Sequence, residues 1–149
     1  MNDDSPIIIV NLKAYEQGYG ANGYDLCKIM EEIALEHKVN LAAAVSPIDL
    51  VDFSDNLDIP IFAQHVDGVN FGSHTGSILP EAVRYSGAVG TLVNHAECQM
   101  SWEEIEKTIN RCKELDLLTV LCTADIASSE KGSHLNPDMI AVEPPELIG

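Results

Sequence analysis

Ala141-Val142-Glu143-Pro144-Pro145-Glu146-Leu147-Ile148-Gly149 is an apolar run that ends on a carboxylate and a pair of prolines. Glu143 therefore stands where a strand, Met139 to Val142, runs into a Pro-Pro hinge. Two earlier runs end in equally polar ways. Ile7 to Val10 leads into Asn11-Leu12-Lys13, and Gly90 to Val93 leads into Asn94-His95-Ala96-Glu97. A Glu, a Lys and a His thus each lie just past the end of a buried strand.

Working outward from these three runs, others of the same kind appear at Leu41–Val45, Ile61–Ala63 and Thr119–Cys122, with the central one extending over Ala88–Val93. They are near-continuous rather than alternating, as strands covered on both faces should be. Helical patterns lie between them. Tyr24 to His37 places Leu26, Ile29, Met30, Ile33 and Ala34 on one face, with Glu31, Glu32 and Glu36 largely opposite. Pro47 to Asn56 is a second helix, and Leu79 to Ser86 a third with Pro80 in its first turn. Ser101-Trp102-Glu103-Glu104 is a capping box opening a fourth, which runs to about Leu115. Ala124 to Ser129 reads as a degenerate fifth helix, and Glu130 to Pro137 as loop.

Strands alternating with helices imply right-handed parallel βαβ units. The fold class is α/β, and the architecture a (β/α)8 barrel, whose active sites lie at the C-terminal ends of the strands. Such a barrel has eight strands and typically ~250 residues, with ~200 as the usual minimum. The 149 residues here hold six strands. The expectation is one domain, residues 1–149, with about six of the eight βα units and open edges at the first and last strands.

Composition narrows the function class. Lys and Arg total 8 against 24 Asp and Glu, a formal net charge of -16. Such a surface repels nucleic acid and anionic membranes. It suits either a high-salt cytoplasm or an ordinary acidic soluble protein. An anionic substrate would need a local cation, and Lys13 is one of the few available. Cys27, Cys98, Cys112 and Cys122 form no C-x-x-C pair and no zinc spacing, so no metal is expected, and they read as reduced thiols in a cytoplasmic protein. Met1 to Pro6 lacks the basic start of a signal peptide, and the apolar runs are too short to cross a membrane.

Proton abstraction beside a carbonyl requires one base and one electrophile facing the oxygen. A Glu, a His and a Lys at three strand ends can converge on one small substrate for that purpose. Each also has a purely structural reading: a hydrogen-bonded strand-end His, a solvated Lys, a Glu that caps a turn. Thr75 reads equally as an ordinary residue of a glycine-flanked turn. His37, His65, His74 and His134 read as structural or surface residues, and Met30 and Trp102 as core or helix-face residues.

Val10-Asn11-Leu12-Lys13, Phe62-Ala63-Gln64-His65-Val66, Gly72-Ser73-His74-Thr75-Gly76, Gly90-Thr91-Leu92-Val93-Asn94-His95-Ala96-Glu97 and the closing stretch Ala141 to Gly149 occur in an order and spacing that resembles the triosephosphate isomerase family, in its compact archaeal-type branch. The resemblance runs the length of the chain. It implies interconversion of dihydroxyacetone phosphate and D-glyceraldehyde 3-phosphate through an enediolate, in glycolysis and gluconeogenesis, without a cofactor. It implies Glu143 as the base, His95 as the neutral electrophile and Lys13 as positive charge near the phosphate and the enediolate. Asn11 would bind the substrate oxygen and hold Lys13, and Glu97 would support the site through Lys13. Thr75 would reach into a neighbouring subunit's site, implying a homodimer or homotetramer. Gly149 matches the lid glycine whose N–H binds phosphate.

The family's other two phosphate-binding loops follow strands seven and eight, which have no counterpart among these residues. The expectation is a C-terminally truncated member whose activity as an isolated chain is doubtful. The alternative is a non-catalytic partial barrel acting as an interaction module or inactive fragment. A third reading makes Lys13 the Schiff-base lysine of an aldolase-like barrel.

Overall fold

The computed structural model describes residues 6–144 and 146. Its elements follow in strict alternation: β1 (Ile7–Asn11), a 3-10 turn (Glu16–Gly18), α1 (Gly20–His37), β2 (Asn40–Val45), α2 (Leu50–Asn56), β3 (Ile61–Ala63), α3 (Pro80–Tyr85), β4 (Gly90–Val93), α4 (Trp102–Glu114), β5 (Leu118–Thr123), α5 (Ile126–Ser133) and β6 (Met139–Val142). Every neighbouring pair of strands is parallel, and the order in the sheet is the order in the chain. That is the wall of a (β/α) barrel, curled and open. Among the described residues, β1 and β6 are each paired on one side only.

Alternation along the strands separates two apolar layers. Ala43 and Val45 of β2 face outward and pack with Cys27 and Met30 of α1 and with Leu50 and Phe53 of α2. Ala42 and Ala44 face the other way and meet Phe62, Leu92 and Val120, with no helical residue among them. This second layer is the concave lumen. Phe62 fills it because Gly90 has no side chain: a methyl there would lie 2.6 Å from Phe62 Cε1 and 2.4 Å from the Leu118 carbonyl oxygen. The lumen is therefore a solid floor beneath the strand ends rather than a pore.

The helices show which local signals fixed them. In α4, Ser101 Oγ accepts from Glu104 N at 3.3 Å while Glu104 Oε2 accepts from Ser101 N at 2.7 Å, so the capping box read from the sequence is formed. Ile105, Thr108, Ile109 and Cys112 form its buried stripe at three- and four-residue spacing. Each buried isoleucine contributes about 1.5–3 kcal/mol relative to exposure. Trp102 packs at the edge of that layer and carries the Lys131 ammonium 4.2 Å above its ring.

Two expectations are corrected. The buried face of α1 is Gly23, Cys27 and Met30, with Leu26 and Ala34 packed beside it, whereas Ile29 and Ile33 are 53% and 41% exposed. Gly23 allows close approach to the 3-10 turn, where a methyl would lie 2.8 Å from the Gly18 carbonyl oxygen, and to Phe53 of α2. The helix also starts at Gly20 rather than Tyr24. Its first-turn N–H is met by Asp49 Oδ2 at 3.3 Å, a tertiary cap that no local pattern reveals. Secondly, residues 130–133 are helical rather than loop. Asp125 and Ser128 cap α5 reciprocally, and Gly132 lets the helix lie on β5, since a methyl there would meet Leu121 Cδ2 at 2.5 Å. Gly132, inside the stretch read as loop, is a contact point.

Candidate active site

All the polar strand ends lie on one rim of the sheet. Lys13 follows β1 with φ 52°, the left-handed region that a long side chain rarely adopts. Such a conformation costs about 1–3 kcal/mol and persists only where surrounding bonds enforce it. Two do so here. Lys13 N donates to Asn11 Oδ1 at 3.0 Å, and Gln64 Nε2, from the end of β3, donates to the Lys13 carbonyl at 2.9 Å. The strain aims the ammonium across the rim, where Nζ meets Glu97 Oε1 at 2.9 Å.

This pair sets both charges. The hydrogen bond that Lys13 donates to Glu97 raises the Lys13 ammonium above its usual range, and the same bond holds Glu97 below the usual carboxylate range. A Schiff-base lysine needs the opposite shift, so the aldolase-like reading loses its chemical basis.

His95 is nearly buried, at 8% exposure, one residue beyond a left-handed Asn94 with φ 61°. Asn94 holds that turn from both ends. Its Nδ2 donates to the Cys122 carbonyl at 3.0 Å, and its Oδ1 accepts from Met100 N at 2.8 Å. His95 Nδ1 accepts from the main-chain N–H of Glu97 at 3.1 Å. A ring nitrogen that accepts from an amide carries no proton, so the imidazole proton belongs on Nε2. Nε2 faces Glu143, whose Oε1 lies 3.6 Å away.

Glu143 follows β6 and is fixed through its main chain, with N donating to the Thr123 carbonyl at 2.7 Å. Its Oε2 is buried and has no hydrogen-bond partner among the described residues. Glu143 also borders a cleft of about 310 Å³ with Asn94, Cys122, Thr123 and Ala124. The Cys122 thiol beside it is pushed up to about 12, by burial first and then by the Glu143 carboxylate.

The rim thus unites Asn11, Lys13, Glu97, His95 and Glu143, which the sequence placed at three separate strand ends. Thr75 does not join them within the chain. It stands exposed on the long β3–α3 loop. Gly149 lies outside the described residues. Gln64 and Asn94 appear in the sequence only as members of motifs and Cys122 only as a reduced thiol, and none was given a role at the site, although each sits at a strand end. The arrangement offers a largely buried carboxylate, an N–H donor aimed beside it and a fixed ammonium: a base, an electrophile and a cation. Among the described residues, no three His, Cys, Asp or Glu side chains are grouped so as to hold a metal ion. No described helix is long and apolar enough to cross a membrane.

The parallel strand order and the polar rim at the C-terminal strand ends define a protein of the (β/α) barrel class with its site in the usual place for that class. Comparison with known proteins makes this specific. The family model for triosephosphate isomerase matches residues 6–149, and the chain belongs to that family. It is 46% identical over 146 residues to the triosephosphate isomerase of Methanothermobacter thermautotrophicus, covering 98% of this chain and 64% of that protein. It is 45% identical over 143 residues to that of Methanocaldococcus jannaschii, covering 96% of this chain and 65% of that protein. The chain thus spans under two thirds of the length of these relatives. The crystal structure of triosephosphate isomerase from Bartonella henselae superposes with a TM-score of 0.76 at 16% identity, over 97% of this chain and 68% of that one, which shows the same fold.

Proposed function

We propose that this chain carries the proton-transfer centre of a triose-phosphate isomerase, interconverting dihydroxyacetone phosphate and D-glyceraldehyde 3-phosphate. The carrying observation is the His95–Glu143 pair. With Nδ1 committed to the Glu97 amide, the imidazole presents Nε2–H to a carbonyl oxygen. The Glu143 carboxylate beside it, with Oε1 3.6 Å from Nε2, is the proton acceptor. Glu143 removes a proton from the carbon beside the carbonyl and returns it to the neighbouring carbon. His95 donates to the oxygen as negative charge develops on it. Lys13 supplies positive charge to the phosphate and to the enediolate, which matters in a chain of net charge -16.

Asn11 has two tasks in this reading, since it binds the substrate oxygen and caps the strained Lys13 backbone. Glu97 holds Lys13 and sets the His95 tautomer through its own amide. Gly149 contributes a main-chain N–H to the phosphate. Thr75, exposed on its loop, reaches into the site of a second copy, so the working form is a homodimer or homotetramer in the cytoplasm. Residues 1–149 act as one partial-barrel domain, and the reaction calls for no cofactor.

The test is a coupled assay with glyceraldehyde 3-phosphate, on this chain alone and with the remaining third of a relative supplied as a separate polypeptide. Turnover in either setting that falls by about 10³-fold in Glu143→Gln supports the reading, general-base contributions being about 10²–10⁴. Turnover that survives the substitution assigns the base elsewhere and refutes it.

A further inference from the structure

Asn94 is not among the groups that would touch substrate, yet both ends of its side-chain amide are committed. Its φ of 61° is one that glycine adopts without cost and asparagine tolerates. What asparagine adds over glycine at this turn is therefore the amide. Nδ2 donates to the Cys122 carbonyl at 3.0 Å, and Oδ1 accepts from Met100 N at 2.8 Å. The register of β4 on β5 ends at Val93 opposite Leu121, so the first bond carries the pairing one residue beyond the strand. The second bond closes the loop 94–100, whose far end, Met100, packs against the cluster of Val93, Ile105, Ile109 and Leu121.

His95 and Glu97 lie inside that closed loop. Cys98 N donates back to the His95 carbonyl at 2.8 Å, so the chain turns tightly there. The bond that assigns the imidazole proton, from Glu97 N to His95 Nδ1 at 3.1 Å, depends on this turn. The Asn94 amide closes the turn at its base. The same amide bears on the spacing across the rim. Its acceptor, Cys122, precedes Thr123, whose carbonyl accepts from Glu143 N at 2.7 Å. His95 and Glu143 are thus both referred to two consecutive residues at the end of β5, and His95 Nε2 stands 3.6 Å from Glu143 Oε1. Asn94 is half-buried and its partners lie in the same chain, so the role asks for no exposed surface.

We propose that Asn94 is a positioning residue for the His95–Glu143 pair: its amide ties the end of β4 to β5 and to the start of α4, and so keeps His95 in its Nε2–H tautomer beside Glu143. No proton passes through Asn94. That the pair transfers protons rests on the function proposed above, whereas the tautomer is a property of the fold and is read without turnover.

The experiment records the ring 15N resonances of His95 in the intact chain at pH 8, above the ordinary histidine value of about 6.5. The His95 signals are those missing from His95→Gln. The protonated and the bare nitrogen of a neutral imidazole resonate far apart, so their averaged positions give the tautomer ratio. In the native chain Nε2–H is expected to exceed Nδ1–H by about tenfold or more, the weight of one amide hydrogen bond. Asn94→Gly keeps the backbone conformation and removes both bonds, and is expected to lower the ratio about tenfold. Asn94→Asp is isosteric, keeps the acceptor for Met100 N and loses the donor to Cys122, and is expected to lower it about threefold. The aspartate variant decides the matter alone if the glycine variant does not fold.

Thr119→Val is the control. It removes two hydrogen bonds with Asp138 at the opposite end of β5, at 2.9 and 3.1 Å, and should leave the ratio unchanged. A native ratio near unity would overturn the proposal, as would a ratio unmoved by the Asn94 substitutions. An equal fall in Thr119→Val would overturn it too, since that marks general loosening. A native Nε2–H form that ignores Asn94 leaves the isomerase reading intact, and turnover that survives Glu143→Gln leaves the tautomer result intact.

Discussion

The two halves of the rim are built differently. On the β1–β4 side, Lys13 is held through its N–H, its carbonyl and its ammonium, and His95 through its ring nitrogen and main chain. On the β6 side, Glu143 is fixed by one main-chain bond, and one carboxylate oxygen has no hydrogen-bond partner among the described residues. The difference follows from the tasks proposed for them. A cation and a hydrogen-bond donor stabilise charge best when they do not reorganise, so they are locked. A base must approach and leave two carbons in turn, so its carboxylate cannot be tied to neighbours.

The comparison can be broken at either end. The largest effect is expected from Glu143→Asp, which withdraws the carboxylate by about a methylene. Misplacement on the ångström scale costs about 10²-fold, and turnover should fall by that order while the melting temperature is unchanged. If melting also drops substantially, Glu143 is a structural residue and the contrast fails. Lys13→Gly is expected to separate strain from chemistry. Glycine takes a φ of 52° without penalty, so relief of about 1 kcal/mol should raise melting by roughly 2–4 °C while activity is lost. A lowered melting temperature would show that the Lys13–Glu97 pair outweighs the backbone strain.

Gln64→Ala tests the locked half with no change to a charged group. Losing the donor to the Lys13 carbonyl should cost about 1–1.5 kcal/mol, read by chemical denaturation, with a modest rise in KM. The smallest effect is in pH dependence. The Glu97 carboxyl is lowered in the fold, so its contribution is present above the ordinary value of about 4.3 and is lost as the pH falls through the folded value. The Lys13 ammonium is raised, so its contribution is present below about 10.4 and is lost as the pH rises through the folded value. The stability difference between wild type and Glu97→Gln should therefore be flat from about pH 5 to pH 10 and vanish at the acid end. A difference that persists in acid would mean that the Glu97 side chain contributes by something other than its charge.

The barrel wall was legible because its signal is short range. A strand covered on both faces shows as an unbroken apolar run, and β3 and β6 fall on the residues read for them. The site was legible for the same reason, since each strand ends on its polar residues. The strand-end rule was applied to three strands of six. Extended to β3 it reaches Gln64, and extended to β5 it reaches Cys122 and Thr123, both on the cleft. What no run or period encodes is pairing at a distance. Asp49 starts α1 from another loop, and Gly132 continues α5 because β5 lies beneath it. His65 read only as a structural or surface residue because its partner Cys98 is 33 positions away.

The Asp67–Ile78 clasp has a consequence for how this surface can change. Two hydrogen bonds tie the ends of an eleven-residue step together, so the loop between them leaves and rejoins the barrel at one point. Phe71 and Thr75 stand at its outer end, both exposed. The tip is in effect a cassette. Residues 70–77 can be lengthened, shortened or exchanged without shifting the register of β3 or β4, because the strain of the insertion stops at the clasp. The tip can therefore be varied without moving the strands that carry the rim.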